Sequence, residues 1–447
     1  MAAADLSALT ATEAAAKIAD STVSSEEVTS ACLDRIAATE DAVGAFVHLD
    51  SEYALAQARE CDEWRRSGRP IGPLHGVPVG IKDIIDTADY PTECGSAVLS
   101  GRRPRTDATV VSRLRAAGAV IIGKTVTTEF AYFHPGKTRN PRDLARTPGG
   151  SSSGSAAAVA AGMVPLAIGS QTNGSIIRPA SFCGVFGMKA SHGLVSRAGV
   201  LPLSRSLDHV GPFARSIDDI ALALDVIAGY DAEDPDTRPM AARNFRQIAA
   251  EDFGLPPRLA FVKTPVWDKA DADTRDAFEE LAQEFGETCF TYDLPDRFAS
   301  AWDAQRTIMA VEMAHNLGSV ADRGGDKISD KFRALMAEGR QYSATQYLAA
   351  VAEARTLRAS LEELFQQECV AIITPSARGA APKDLSVTGD PAFCSLWSLT
   401  GLPSLNLPLL TGEDDMPVGV QLVGPAGDDA RLLRTARAVL AMLGFDT

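Results

Sequence analysis

Two serine- and glycine-rich clusters separated by a run of small residues constrain this chain more than any other feature. The first cluster is residues 149–155 (GGSSSGS) and the second is residues 173–175 (NGS). Between them, residues 156–161 read AAAVAA, a run that favours a helix and has no bulky side chain to prevent close packing. A helix and a strand between the clusters bring the chain back beside its start. We therefore expect the hydroxyls of Ser151 and Ser175 to lie within hydrogen-bond reach.

A lysine upstream adds chemistry to these two serine loops. Lys82 follows an apolar segment punctuated by Gly and Pro, residues 76–81 (GVPVGI). Burial in such a setting lowers the pKa of a lysine, and a neutral lysine in line with hydroxyls can activate a serine without histidine. For either serine loop alone, a turn or a helix cap is the better interpretation. Both loops together with Lys82 indicate a catalytic site.

Other catalytic and ligand-binding patterns fit less well. Residues 150–154 match the G-x-S-x-G nucleophile elbow, but the polar, Pro-containing residues 139–148 leave no strand to lead into it. Residues 169–174 have phosphate-loop spacing, but Ser-Ile follows where Lys-Ser/Thr is required. No HExxH motif or paired His/Cys spacing is present, so we expect no metal and no cofactor. Cys183 is interpreted as a small core residue rather than a nucleophile.

Charge and cysteine usage limit the partners and the compartment. The net charge of −15 argues against nucleic acid as a partner. The longest small apolar run, residues 156–168, is too short to cross a membrane, and the N-terminus lacks the basic region of a secretory signal and is expected to begin a surface helix. Seven scattered cysteines without a CxxC pair fit reduced thiols. We expect a cytoplasmic protein that does not bind membranes.

Apolar periodicity predicts an α/β fold made of one domain spanning residues 1–447. Residues 1–65 are predicted to form N-terminal helices, and residues 70–230 alternate strands and helices around the serine clusters. Residues 232–370 are predicted to be a variable helical excursion that contributes to substrate binding. Residues 371–447 return to the core with strands and a final helix.

These motifs resemble those of the amidase signature family. The resemblance rests on the serine clusters, on the Gly-Ile-Lys-Asp segment around Lys82, and on a tail with Gly-Leu-Pro at 401–403 and Pro-Val-Gly at 417–419. It implies Ser175 as nucleophile, Ser151 with a cis peptide as bridging serine, and Lys82 as base. It further implies a single α/β/α domain with a mixed, twisted central sheet covered by helices.

The resemblance also implies an oxyanion hole and a substrate-binding set. The N–H groups of Thr172, Asn173, Gly174 and Ser175 are expected to bind the oxyanion. Asn173 departs from the Gly that the family usually carries, and Asn is the residue that best tolerates a left-handed backbone after Gly. Arg178 is predicted either to bind a substrate carboxylate or to pin its loop. The remaining predicted substrate-binding residues are Gly150, Ser152 and Gln171, and Gln171 is also expected to hold the loop by hydrogen bonds.

The leading hypothesis is a stand-alone hydrolase of small amides or carbamates (urethanes), acting as a monomer or homodimer. The alternative is the glutamine-hydrolysing amidase component of a tRNA-dependent amidotransferase, which needs partner subunits. A catalytically inactive binding protein is the third possibility, which the intact Lys82, Ser151 and Ser175 disfavour. The acyl pocket is expected near residues 129–133 and the helical excursion, with Trp302, Met309 and Met313 as candidates, although a helix core is the better interpretation of these three.

Overall fold

The computed structural model describes residues 6–241 and 243–445. The first five residues of the expected N-terminal helix lie outside this part of the chain. The strands of the described residues are β1 (Phe46–Leu49), β2 (Pro78–Lys82), β3 (Val120–Thr125), β4 (Leu166–Gln171), β5 (Phe186–Lys189), β6 (His209–Ala214), β7 (Leu259–Lys263), β8 (Cys289–Asp293), β9 (Ala371–Pro375), β10 (Ser404–Thr411) and β11 (Pro417–Val423).

The described residues also form fourteen α-helices. They are α1 (Ala11–Ala19), α2 (Ser25–Val43), α3 (Ser51–Arg66), α4 (Thr109–Ala116), α5 (Ser153–Ala160), α6 (Ile177–Cys183), α7 (Ile217–Ile227), α8 (Phe245–Ala249), α9 (Ala272–Glu284), α10 (Ala301–Gly324), α11 (Asp330–Gly339), α12 (Ala344–Gln367), α13 (Ala392–Leu399) and α14 (Asp429–Met442). None of them combines the length and hydrophobicity that crossing a bilayer requires.

All the strands of the described residues belong to one mixed sheet. Its order is β1-β3-β2-β4-β6-β5-β10-β11-β9-β7-β8. β2 lies between β3 and β4 and is parallel to both, whereas β4 is antiparallel to β6. Because β2 and β4 are parallel neighbours, their carboxyl ends lie at the same edge of the sheet. The residues that follow these two strands therefore start from adjacent positions.

Both faces of the sheet are buried, which explains why its central strands are continuously apolar. Along β4, Leu166 and Ile168 belong to one hydrophobic cluster, while Ala167 belongs to another that includes the alanines of α5. Adjacent residues of a strand point to opposite faces, so helices must cover both sides. The predicted single α/β domain with a mixed central sheet flanked by helices is confirmed.

Most predicted elements are found, and the errors fall on short or irregular ones. Residues 127–132, where the sequence pattern predicts the start of a helix, contain only a 3-10 turn, Glu129–Ala131, in which Phe130 and Ala131 have positive φ. The N-terminal region is not purely helical, because β1 pairs with β3 at the edge of the sheet. Strand β6 was not predicted, although it joins the two central parts of the sheet.

Helix α5 packs so closely against the chain that Gly154 has no room for a side chain. A Cβ at this position would lie 2.2 Å from the Ala45 carbonyl oxygen and 2.3 Å from the Val126 nitrogen. Both neighbours are backbone atoms, which cannot move without displacing β3 or the residue before β1. This close approach fixes the start of α5, and therefore the serine cluster that precedes it, against the sheet.

We predict that Gly154→Ala destabilises the protein by about 2 kcal/mol or more, because overpacking outweighs the gain of about 1 kcal/mol that Ala gives in a helix. Gly318→Ala in α10 is the matched control, since its Cβ would meet only the guanidinium of Arg340, at 3.1 Å. The free energy of unfolding in urea measures both variants. Equal stability of the two variants would contradict the prediction.

Candidate active site

The site lies at the shared edge of β2 and β4. Lys82 is the last residue of β2, and Gln171 ends β4 just before the loop that carries Ser175. Ser151 lies just before α5, whose close packing places it at the same edge. The sequence cluster and the upstream lysine are thus brought together by the parallel pairing of two strands. Ligand sites in α/β sheets form at this kind of edge.

Lys82 is fully buried, and the groups of the described residues that hydrogen-bond to its amine are all neutral. Its Nζ donates to Ser151 Oγ at 2.7 Å, to Ser170 Oγ at 2.9 Å and, more weakly, to the Ser170 carbonyl at 3.4 Å. Burial lowers the pKa of Lys82 well below its ordinary value, and the more distant charge of Asp208 opposes this shift. A lysine of this kind can hold a free amine near neutral pH.

The carboxylate nearest to Lys82 in the sequence, that of Asp83, pairs with a different lysine. Asp83 is the first residue of the turn that follows β2, and its carboxylate lies 3.4 Å from Lys124 Nζ. Lys124 also donates to Thr92 Oγ1 at 2.5 Å. Within the described residues Lys82 forms no ion pair, so burial is the dominant influence on its pKa.

Ser151 lies between the lysine and the cavity that Ser175 lines. The Gly150–Ser151 peptide is cis, as the family resemblance implied. Ser151 and Ser175 line the same cavity, and Ser175 is 9% exposed. No hydrogen bond joins the two hydroxyls in the structure, so that step of the relay stays a prediction. The hydroxyl of Ser175 is open to the cavity.

The loop that carries Ser175 presents its amide groups to the same cavity. Thr172, Asn173, Gly174 and Ser175 all line it. The N–H groups of Asn173, Gly174 and Ser175 have no hydrogen-bond partner within the described chain. Unused donors converging on a cavity are what an oxyanion hole needs. Their predicted role as oxyanion donors is compatible with this arrangement.

Asn173 takes the place of the usual glycine without a left-handed backbone, since it is not among the residues with positive φ. Its side chain is held by the helices around it: Oδ1 accepts from Ser395 Oγ at 2.7 Å, and Nδ2 donates to Gln305 Oε1 at 3.4 Å. Ser398 Oγ donates to the Asn173 carbonyl at 2.6 Å. The tolerance of Asn for left-handed backbone is therefore not what accommodates this residue.

Two predicted substrate-binding residues have their polar atoms engaged in the loop itself. Gln171 is fully buried, and its Oε1 accepts from the N–H groups of Ile176 and Ile177 at 2.8 and 3.0 Å. Ser152 is also fully buried, and its Oγ donates to the Ser170 carbonyl at 3.1 Å. Neither lines the cavity, so their contacts are those of loop supports; substrate binding by them stays a prediction.

Arg178 is buried and hydrogen-bonds to the cis peptide that joins Gly150 and Ser151. Its Nη2 donates to the Gly150 carbonyl at 2.7 Å, and its Nε donates to the Thr388 carbonyl at 2.6 Å. Its Nη1 has no hydrogen-bond partner among the described residues, and Arg178 lines the cavity. Burial lowers its pKa to about 10, which leaves the guanidinium charged at neutral pH. Arg178 therefore fixes the position of the loop and has one guanidinium nitrogen without a partner among the described residues. Substrate contact by Gly150 stays a prediction.

The cavity beside Ser175 is small and mostly apolar. Its open space is about 20 Å³, room for roughly one water molecule. Residues from the 129–133 segment and from α10 form the wall opposite the serines, namely Ala131, Tyr132, Phe133, Met309 and Met313. Trp302 does not line it and instead donates to the Ala392 carbonyl at 2.9 Å. Flexible methionines can rearrange around a ligand more readily than branched side chains.

Two polar groups near the site had no recognisable signal in the sequence. Ser170 contacts the lysine amine and Asp208 accepts from Thr172 Oγ1 at 2.6 Å. Ser170 lies near the end of β4, just before the second serine cluster, and nothing in the sequence marked it apart from its neighbours. Asp208 lies before β6, a strand that was not predicted. No group of three or more His, Cys, Asp or Glu residues among those described is arranged to hold a metal.

Comparison with known proteins agrees with this geometry. A sequence model of the family described as Amidase matches residues 27–433. This chain belongs to the amidase family. It is 38% identical to a subunit of the glutamyl-tRNA(Gln) amidotransferase of Chloroflexus aggregans, over 99% of this chain and 98% of the relative. The amidase fold thus extends over nearly the whole length of both proteins.

Solved structures of the amidase family superpose closely on the chain. The native peptide amidase of Stenotrophomonas maltophilia has a TM-score of 0.88 and 31% identity, with 98% of each chain covered. A structure linked to a vestigial complex and the origins of an s-triazine catabolic enzyme has a TM-score of 0.90 and 32% identity, covering 98% of this chain and 99% of that one. These neighbours support an amide-hydrolysing enzyme.

The lowered pKa of Lys82 predicts a distinctive dependence of stability on pH. Between that lowered pKa and 10.5, the unfolded chain carries a proton on Lys82 that the native protein has released. Wild-type stability should therefore rise with pH relative to Lys82→Met, by up to about 1.4 kcal/mol per pH unit. Unfolding in urea between pH 7 and 9 measures the difference.

The exposed Lys331 provides the matched control for this measurement. Because its amine reaches solvent in the native protein as well as in the unfolded chain, Lys331→Met should follow the wild-type pH dependence. A constant difference between wild type and Lys82→Met across the range would mean that the native lysine is charged, which contradicts the prediction.

Proposed function

We propose that this chain is a serine amidase that cleaves C–N bonds of small amides or carbamates through an acyl-enzyme on Ser175. The observation that carries the proposal is the buried Lys82 amine, which contacts Ser151 Oγ at 2.7 Å and has no ion-pair partner among the described residues. Neutral Lys82 accepts a proton from Ser151, which in turn accepts the proton of Ser175 as that oxygen attacks the carbonyl carbon.

The same relay then serves the leaving group. The tetrahedral intermediate places its oxyanion among the N–H groups of residues 172–175, where each donor contributes about 3–4 kcal/mol of transition-state stabilisation. Collapse of the intermediate breaks the C–N bond, and the proton held by Lys82 returns through Ser151 to the departing nitrogen. Water repeats the attack on the acyl-enzyme and releases the acid, which restores Ser175.

We further propose that the acyl part of the substrate is small and carries a carboxylate. The narrow cavity supports a small group, and the unused Nη1 of Arg178 supports an anion. Arg178 forms no ion pair within the described residues, and a buried cation without an anion is unfavourable. A substrate carboxylate would supply the missing charge and complete the hydrogen bonds of the guanidinium.

A second candidate is the glutamine-hydrolysing component of a tRNA-dependent amidotransferase. The names of the curated relatives, such as the amidotransferase subunit of Chloroflexus aggregans, favour it. Glutamine also carries a carboxylate, so the Arg178 argument does not separate the two. The purified chain alone separates them: a stand-alone amidase hydrolyses small aryl amides without a partner, whereas an amidotransferase component requires partner subunits for efficient glutamine hydrolysis.

We predict that Ser175→Ala abolishes hydrolysis of a small aryl amide, because the acyl-enzyme forms on the oxygen that this change removes. Lys82→Ala and Ser151→Ala should lower kcat by roughly 10²–10⁴, the usual contribution of general acid–base catalysis. Release of the arylamine, followed by absorbance with the pure proteins, measures all three. Full activity of Ser175→Ala would overturn the proposed function.

Cys183→Ala is the control that separates serine from thiol chemistry. The thiol is fully buried, and burial raises its pKa to about 12, so it is neither accessible nor ionised. We expect this variant to keep wild-type kcat. Loss of activity without loss of folding would show that the thiol takes part in catalysis.

We predict that Arg178→Met weakens the preference of the enzyme for anionic over neutral substrates. The measurement compares kcat/KM for a dicarboxylic monoamide with that for a neutral amide of equal length. The ratio should fall roughly ten- to a hundredfold in the variant, the value of a hydrogen bond to a charged group. The variant also loses the contact between Arg178 and Gly150, which should lower kcat/KM for both substrates. The ratio cancels this common loss. An unchanged ratio would assign Arg178 to the loop alone.

A further inference from the structure

A second cavity lies on the far side of the catalytic lysine. It encloses about 250 Å³ and is lined by Ser170, Asp208 and Leu203 among others. Ser170 Oγ accepts from Lys82 Nζ at 2.9 Å, so Ser170 stands between the amine and this second cavity. Leu203 also lines the cavity beside Ser175 and forms part of the partition between the two. The lysine is therefore approached by polar groups from both sides.

Asp208 is a half-buried residue whose carboxylate accepts three hydrogen bonds. Its Oδ1 accepts from Thr172 Oγ1 at 2.6 Å, and its Oδ2 accepts from the N–H groups of Leu203 and Ser204, both at 2.9 Å. No ion pair to Asp208 occurs in the described part of the chain. Desolvation raises the pKa of Asp208 to about 6, so it is ionised above that pH.

The partners of Asp208 belong to the catalytic site rather than to the surrounding core. Thr172 is the first residue of the loop that carries the oxyanion donors and Ser175. Leu203 is the shared wall of the two cavities, and the hydroxyl of Ser204 is fixed in turn by Glu312 of α10, at 2.5 Å. One carboxylate thus joins the oxyanion loop to the partition and, through Ser204, to the helical excursion.

Asp208 is also the carboxylate whose charge acts most on the lysine, and it raises the pKa of Lys82. The Asp83 carboxylate is paired with Lys124, and burial raises the pKa of the Cys94 thiol to about 12, which keeps it neutral. The remaining charged or titratable groups near Asp208 are engaged or neutral: Arg197 pairs with Asp234 and Asp236, Arg205 with Asp236, and burial lowers the pKa of His209.

We propose that Asp208 is a positioning residue of the catalytic site. Through Thr172 it holds the oxyanion loop in register with Ser151, and through its negative charge it adjusts the basicity of Lys82. This inference rests on the proposed serine-hydrolase function. In this proposal Asp208 does not touch the substrate, but it acts on both the oxyanion loop and the base, Lys82.

The test follows covalent labelling of Ser175 by an alkyl fluorophosphonate, which requires no knowledge of the substrate. Ser175 Oγ forms the bond to phosphorus, fluoride leaves, and the hydroxyl proton passes through Ser151 to Lys82. The labelling rate of the full chain is measured from pH 5 to 9. Its midpoint reports deprotonation of the lysine, and its plateau reports how well the loop is placed.

Two variants separate the two roles of Asp208. Asp208→Asn removes the charge that favours protonated Lys82, so the midpoint should move to lower pH by roughly 0.5 to 1 unit. Thr172→Val removes the hydrogen bond but leaves the charge, so the plateau should fall roughly tenfold with the midpoint unchanged. Thr172→Ser keeps the hydroxyl and should restore most of the plateau.

Glu233→Gln is the matched control, because Glu233 is an exposed carboxylate on the wall of the same second cavity. We expect it to change neither the midpoint nor the plateau. Equal midpoints in wild type and Asp208→Asn, or a wild-type midpoint below pH 6, would overturn the electrostatic role. If Asp208→Asn does not fold, the Thr172 pair decides: equal plateaus for Thr172→Val and Thr172→Ser would overturn the proposal. Absence of labelling in the wild type would instead overturn the proposed function.

Discussion

The site depends on the desolvation of one lysine amine that is not neutralised by an ion pair. Lys82 ends a strand with neighbours on both sides and helices over both faces, so water is excluded from its side chain. Asp83 lies in the turn after β2, where its carboxylate pairs with Lys124 instead of Lys82. What remains around the amine are hydroxyls and a carbonyl, which solvate it without stabilising its charge as an anion would. Had Asp83 paired with Lys82, the lysine would be an ordinary buried ion pair and a poor base.

The sheet topology brings the buried lysine amine close to the loops that carry the two serines. β2 and β4 are adjacent and parallel, so the lysine at the end of one and the loop that carries Ser175 after the other start from the same edge. Helix α5 connects Ser151 to β4, and its alanines and Gly154 let it approach the sheet closely enough to place the cis peptide beside Lys82. The small-residue run therefore has a functional as well as a packing role.

The sequence predicts the fold class well, for identifiable reasons. Long periodic helices such as α12 and apolar strands such as β9 carry strong local signals, and Lys82, Ser151 and Ser175 stand in distinctive Gly-rich segments. The misses have physical causes. Strand β1 is an edge strand of four residues, and the turn at residues 129–131 has a backbone that propensity does not foresee. Asp208 lies near the site because β6, the strand that follows it, pairs with β4. No local sequence pattern predicts this pairing.

Two buried basic residues, Lys82 and Arg178, lie near the candidate nucleophile, and burial affects their charges differently. Lys82 can lose its proton, and burial lowers its pKa well below the ordinary value, which favours the free amine that the proposed mechanism needs. Arg178 keeps its proton, because even after burial its pKa is about 10. Arg178 stays charged, has one nitrogen without a hydrogen-bond partner and forms no ion pair among the described residues, which supports the proposed carboxylate of the ligand. In the proposed function, the burial that frees the amine of Lys82 and the burial that leaves the charge of Arg178 uncompensated come from the same apolar enclosure.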